Sequence, residues 1–236
     1  MPHTNVSTLA ARRAVIIESD AQALEIARAL AADFAQEASQ RDRERRLPLP
    51  ELERYSQSGL WGITVPREHG GAGVSRATLA EITAIISRAD GSLGQIPQNH
   101  YYALEVLRVN GSADQQKRFY ARALAGERFG NALAEIGTRT AAERRTRLMP
   151  DDAGGWRING SKFYCTGALY AQWIPTATVD ETGIQRLAFV RRDSPGVEVI
   201  DDWSGFGQRV TGSGTVVFKD VAVPREDVLL LADPAA

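Results

Sequence analysis

The chain has 236 residues, of which 43% are hydrophobic and 24% charged, with a net charge of -1. Those values exclude disordered and fibrous classes and leave room for one large domain or two smaller ones. A near-neutral balance gives no whole-chain footprint for nucleic acid, and no apolar run approaches the roughly 20 residues that span a bilayer, so neither nucleic acid nor membrane is an expected partner.

The single cysteine, Cys165, rules out an internal disulfide and a cysteine-rich zinc site, and reads as a buried strand residue. Met-Pro-His-Thr-Asn-Val lacks the basic-then-apolar pattern of a secretory signal, so the cytoplasm is the expected compartment. Three histidines, His3, His69 and His100, are too scattered for a metal-ligand spacing, and no metal is expected.

In chain order, residues 1–18 form a polar arm, and Ser19-Asp20-Ala21-Gln22 reads as a capping box. It opens a long helix with Leu24, Ala27, Ala31 and Phe34 on one face. The helix is expected to run into Arg41-Asp42-Arg43-Glu44-Arg45-Arg46, whose alternating signs suit a solvated end, and to stop at Pro48 and Pro50. A second helix over 51–58 turns Leu52 and Tyr55 inward and ends at Gly59. Residues 60–66 make a short apolar crossing. The run Glu68-His69-Gly70-Gly71-Ala72-Gly73 has the spacing of neither nucleotide-binding glycine motif and reads as a connector. Ser75 caps a helix with Leu79, Ile82, Ile85 and Ile86 inward, broken at Asp90-Gly91. A helical stretch over 93–109 contains Pro97 and the cluster Gln98-Asn99-His100-Tyr101-Tyr102, and a capping box from Ser112 to Gln115 opens a last helix ending near Gly126.

From Arg128 the period switches to that of strands, predicted over 129–135, 145–149, 173–179, 187–191, 197–200 and 215–218. Turns are expected over 151–155, 180–183 and 194–196. Asn159-Gly160 between Trp156-Arg157-Ile158 and Lys162-Phe163-Tyr164 predicts a tight hairpin. The second strand ends at Thr166-Gly167, where a hydroxyl and an uncovered backbone amide suit a planar ligand against Tyr164. Helices first and strands second predict an α+β fold: a helical domain over 19–126, an antiparallel β-barrel or sandwich over 127–231, and a tail over 232–236.

The order of motifs resembles the acyl-CoA dehydrogenase superfamily. The residues that carry it are Leu60-Trp61-Gly62-Ile63-Thr64-Val65-Pro66 with its Gly-Gly-x-Gly, Ala134-Glu135, Gly160-x-Lys162 leading to Thr166, and Val216-Val217-Phe218-Lys219-Asp220-Val221-x-Val223-Pro224. Within the superfamily the chain is most similar to the flavin-dependent monooxygenase branch that takes sulfur from sulfones and thiophenes, in particular the sulfur-acquisition oxidoreductases of the SfnB type. Asp90-Gly91-Ser92-Leu93-Gly94-Gln95-Ile96-Pro97-Gln98-Asn99-His100, Lys162-Phe163-Tyr164-Cys165-Thr166-Gly167-Ala168-Leu169 and Asp201-Asp202-Trp203-Ser204-Gly205-Phe206-Gly207-Gln208-Arg209 carry that closer likeness.

The resemblance implies a flavin ring held by Asn131, Ala134, Glu135, Tyr164, Thr166, Gly167 and Trp203, with reduced FMN as cofactor and FAD as the alternative. It implies His100 as the catalytic residue, holding or donating a proton over the ring, with Asn99 and Tyr101 ordering it at the substrate. It also implies a separate flavin reductase as partner, a homo-oligomer in the full-length form, and a C-terminal helical bundle that this chain is expected to lack. Ordinary acyl-CoA dehydrogenases carry Thr-Glu and Trp-Ile-Thr-Asn where this chain has Ala134-Glu135 and Tyr164-Cys165-Thr166-Gly167, which weakens a dehydrogenase reading. That reading and a non-catalytic, partner-binding remnant stay open as alternatives.

Overall fold

The computed structural model of the chain describes residues 14–140 and 143–231. The expected arm, up to residue 13, and the expected tail over 232–236 lie outside the described residues. Helices come first: α1 Asp20–Ala35, α2 Ala38–Glu44, α3 Leu49–Gln57, α4 Arg76–Ala89, α5 Gly91–Gln95, α6 Gln98–Asn110 and α7 Ala113–Leu124, with single 3-10 turns at Leu60–Gly62 and Arg67–His69. The strands follow as β1 Arg147–Pro150, β2 Trp156–Lys162, β3 Trp173–Asp180, β4 Gln185–Arg191, β5 Val197–Ile200, β6 Thr215–Val223 and β7 Val228–Leu230.

The first long helix is two. Ser19 caps α1 by accepting from the Gln22 amide, but the Gln22 side chain reaches the Glu18 amide rather than closing the box on Ser19. Helical geometry then lapses at Glu37, and α2 brings Arg41 inward. The charge run is therefore not a uniformly solvated end: Arg41 is 1% exposed. Its guanidinium donates to Asp90 Oδ2 at 2.8 and 3.1 Å, to Glu51 Oε1 at 3.0 Å and to the Phe34 carbonyl at 2.7 Å. The other oxygen of Asp90 accepts from the Ser92 and Leu93 amides and so caps α5. One arginine thus ties α1, α3 and the α4–α5 junction together, because a desolvated guanidinium must spend its donors on carboxylates and carbonyls. Pro50 does not stop a helix; it sits in the first turn of α3, where its missing amide is harmless. Pro97 divides the stretch predicted over 93–109 into α5 and α6.

The seven strands form one mostly antiparallel sheet in the order β5-β6-β2-β1-β3-β4-β7, with β1 and β3 the parallel pair. The Asn159-Gly160 hairpin is not formed. Both residues lie inside β2, which pairs with β1 on one side and β6 on the other, and the register slips between Ile158 and Gly160. Asn159 Oδ1 accepts from the Asp220 amide, and Gly160 has φ 152°; an added Cβ there would lie 2.6 Å from Thr146 Oγ1. The glycine permits a bulge and a close crossing rather than a turn. The true hairpin joins β1 to β2 through Asp151–Gly155, where Asp151 Oδ1 accepts from the Ala153 and Gly155 amides. The segment predicted as a strand over 129–135 makes only isolated bridges, Phe129 to Trp173, Ala132 to Thr176 and Ala134 to Phe163. The three-residue β7 has too few positions to show an alternating pattern.

Every residue of β3 is buried, as expected of a strand covered on both faces. On one side Phe119 of α7 stacks on Phe189 of β4 with centroids 4.3 Å apart, within a cluster that includes Leu104, Phe129, Trp173 and Leu187. The other face packs on Ile158, Val216, Phe218 and Val221. Helices and sheet therefore share a core. Removing the Arg41 guanidinium should strand two buried carboxylates: Arg41→Ala is expected to cost about 3–5 kcal/mol in urea unfolding. A loss below about 1 kcal/mol would show that Asp90 and Glu51 find other partners.

Candidate functional site

Where β2 ends, the backbone breaks from the sheet at Tyr164, whose φ of 54° is left-handed and uncommon for a bulky residue. The turn puts its ring outside, 55% exposed, with the half-buried Trp203 edge-on at 5.9 Å. Trp203 is fixed by its indole N–H, which donates to the Gln208 carbonyl at 2.9 Å. Beside this aromatic corner runs the segment 131–135. The Phe163 amide donates to the Ala134 carbonyl at 2.9 Å, while the amides of Ala134 and Tyr164 have no backbone partner among the described residues. An apolar wall next to unspent donors is what a planar, polar-edged ligand requires.

Two buried side chains hold the corner in shape. Asn131 donates to the Tyr164 carbonyl at 3.4 Å and accepts from the Leu133 amide at 3.2 Å. Glu135 turns its carboxylate inward, where it pairs with the fully buried Lys162 ammonium and accepts from the Arg145 and Thr146 amides. Burial pushes the Glu135 carboxyl up, yet Lys162 and the two amides outweigh it and leave it below the usual range. The resemblance puts the strand that carries both residues at the ring. In the structure their side-chain polar groups are engaged with protein partners.

Thr166 is 7% exposed, and its hydroxyl lies 2.8 Å from Ser213 Oγ. The strand-end amides expected to be uncovered are not: Gly167 N–H donates to the Thr211 carbonyl and Thr166 N–H to the Tyr164 carbonyl. Gly167 has φ 77°, and an added Cβ would lie 3.4 Å from Ile96 Cγ2, which seats the α5–α6 junction against the corner. Cys165 is buried as expected, with burial pushing its thiol up to about 12.

His100 departs most from expectation. It is completely buried; Phe129 N–H donates to Nδ1 at 3.1 Å, so Nε2 carries the proton and donates to the Trp61 carbonyl at 2.7 Å. Burial drives its pKa down to about 3, opposed by the Trp61 bond. A ring with both nitrogens engaged and no charge at neutral pH cannot shuttle a proton to a ligand, so His100 is a strut. Tyr101 is likewise turned inward, its hydroxyl donating to the Leu60 carbonyl at 2.9 Å. In that cluster Gln98 and Tyr102 are exposed and Asn99 is half-buried. Thr211 and Ser213 were missed; the hydroxyl-rich run before β6 was their only signal.

Among the described residues no helix is long and apolar enough to cross a membrane, and no cluster of side chains is arranged to hold a metal. Two family models match in sequence, "Acyl-CoA dehydrogenase, N-terminal domain" over residues 18–127 and "Acyl-CoA dehydrogenase, middle domain" over residues 130–221. The chain belongs to the acyl-CoA dehydrogenase family. Within the family it is 31% identical over 217 residues to a dibenzothiophene monooxygenase of Rhodococcus erythropolis, covering 89% of this chain and 52% of that protein. It is also 31% identical over 216 residues to the probable FMNH2-dependent monooxygenase SfnC of Pseudomonas putida, covering 90% and 53%. The crystal structure of FMN-bound TdsC from Paenibacillus sp. A11-2 matches with a TM-score of 0.82 at 31% identity, over 89% of this chain and 54% of that one. The chain spans about half the length of the curated relatives it matches. The likeness to the monooxygenase branch seen in its motifs thus holds.

The state of His100 sets a pH dependence. Its folded pKa of about 3 lies below the unfolded value of 6.5, so as pH falls the unfolded chain takes up a proton that the folded chain refuses. Stability present above pH 6.5 should be lost toward pH 3, by up to about 1.4 kcal/mol per pH unit. Unfolding free energies of the wild type and His100→Gln, measured from pH 7 to pH 4, should show the wild-type advantage shrinking. A difference that does not vary with pH would contradict the buried neutral imidazole.

Proposed function

We propose that this chain carries the ring-facing part of a reduced-FMN-dependent monooxygenase that acts on a small organosulfur compound. The observation that carries the reading is the corner itself: an exposed Tyr164 held in a left-handed conformation beside Trp203 and the small Ala134, with two amides along its edge that have no backbone partner among the described residues. These residues fit a flavin ring. Tyr164 and Trp203 would cover its apolar face and exclude water, and the Ala134 and Tyr164 amides would meet its polar edge. Ala134 stands where a dehydrogenase of the family carries threonine, leaving a smaller side chain against the ring.

Reduced flavin, when bound, supplies the electrons that activate oxygen. Asn131 and the Glu135–Lys162 pair would keep the corner rigid, and Asn99 with Tyr102 would face the substrate from α6. FMN rather than FAD is favoured by the FMNH2 dependence named for one relative and the FMN bound in another. A separate reductase would deliver the reduced cofactor, and a homo-oligomer is the assembly we propose for the full-length form. The lone, buried Cys165 supports a cytoplasmic setting.

Anaerobic calorimetric titration of the chain with FMN, FMNH2 and FAD tests the reading. FMNH2 is expected to bind most tightly, and Tyr164→Ala to weaken it by about tenfold through the lost aromatic contact. No measurable binding of any flavin would overturn the proposal.

A further inference from the structure

We propose that Asp42 and Arg45, at the end of α2, are positioning residues for the aromatic corner: they hold both feet of an arm over residues 201–209 and so keep Trp203 against Tyr164. The inference rests on the flavin reading above.

The arm has no buried anchor. No residue from Asp201 to Arg209 is buried, and Phe206 at its tip is fully exposed. No amide of the arm donates to a backbone carbonyl among the described residues. It curls instead on its own tryptophan: the Trp203 indole N–H reaches the Gln208 carbonyl, and Gly205 lies so close to the ring that an added Cβ would stand 2.5 Å from Cζ2. A segment with so little buried surface keeps one position only through the polar bonds at its ends.

Most of those bonds run to α2. Arg45 holds Asp201 with both terminal guanidinium nitrogens, Nη1 donating to Oδ2 at 3.1 Å and Nη2 to Oδ1. At the other foot the Arg209 amide donates to Asp42 Oδ1 at 2.8 Å, and Arg209 Nη1 donates to the Arg43 carbonyl at 3.0 Å. Asp202 is tied to β6, accepting from the Thr215 amide and hydroxyl at 2.8 and 2.7 Å. The end of α2 can act as a fixed post because Arg41, one turn before Arg45, is locked to Glu51 and Asp90 in the core. Left-handed backbone marks the same place: Arg45 at φ 51°, Gln208 at φ 49° and Tyr164 at φ 54° are three of the four such non-glycine residues among those described. Conformations of this kind persist where surrounding contacts over-determine them.

The two feet are not equal. An exposed ion pair such as Arg45 with Asp201 holds weakly, whereas the half-buried Asp42 carboxylate accepts a backbone amide in a charge-assisted bond. Asp42 is therefore the main clasp. Without it the arm can swing, Trp203 leaves Tyr164, and a flavin ring at the corner loses one wall. A change of about tenfold in affinity is the scale of one such bond.

Two measurements test the proposal. In the flavin-free chain labelled with fluorotryptophan, the fluorine resonance of Trp203, assigned by its loss in Trp203→Phe, should shift in Asp42→Ala while those of Trp61, Trp156 and Trp173 stay. Asp42→Asn, whose amide oxygen still accepts from Arg209, should restore it. In anaerobic titration with FMNH2, Asp42→Ala should bind about tenfold and Arg45→Ala about threefold more weakly, with Asp42→Asn close to the wild type. Adding Asp42→Ala to Trp203→Ala should cause no further loss, because the clasp acts only through the tryptophan. Should Asp42→Ala fail to fold, Arg45→Ala in the same two measurements decides. An unmoved Trp203 resonance, or losses from clasp and tryptophan variants that simply add, would overturn this proposal and leave the flavin reading standing. A wild type that binds no flavin would overturn the flavin reading and, with it, the role of the clasp at the site.

Discussion

The arrangement depends first on one uncharged imidazole. His100 accepts from the amide of Phe129 and donates to the carbonyl of Trp61, so a single side chain on α6 joins the turn after α3 to the start of the segment that leads to Asn131, Ala134 and Glu135. Both backbone groups are satisfied away from water, and losing the ring would leave two buried polar groups without partners. The aromatic rings of Trp61, Tyr101 and Phe129 close around it with centroids 4.8–5.6 Å away and exclude the water that a charged imidazole would need. Helical and sheet regions then meet in one fixed relation, reinforced by Arg128, which donates to Ser56 Oγ on one side and to the Tyr170 carbonyl on the other.

Everything at the corner follows from that relation. Phe129 fixes where the segment enters; the Glu135–Lys162 pair fixes where it leaves. Between them the backbone of Tyr164 is held in a conformation that its side chain disfavours, and such strain persists only where surrounding contacts over-determine it. The charged and polar residues nearest the site are therefore mostly supports. What is presented outward is an aromatic surface and two amides without backbone partners among the described residues.

Much of this was legible in the sequence, and the failures have a common cause. Helix caps at Ser19, Ser75 and Ser112 were readable because capping is local. The division into helices followed by strands was readable from the change of period, and the motif order pointed to the family later matched by both models. Asn159-Gly160 misled because the local preference for a turn was overridden by strand partners on both sides, β1 across the preceding hairpin and β6 far along the chain. Arg41 misled because its carboxylate partners, Glu51 and Asp90, are distant in sequence. The resemblance marked His100 as catalytic, whereas its neighbours hold it as a buried neutral strut, and no pattern of one-letter codes displays them.

The central claim is that the Tyr164–Trp203 corner is the seat of the flavin ring. A crystal structure of the chain grown with FMN under reducing conditions tests it most directly. The ring is expected against Tyr164 and Ala134, its polar edge on the Ala134 and Tyr164 amides and Trp203 at its margin. A ring bound on any other surface, with Tyr164 still facing solvent, would contradict it.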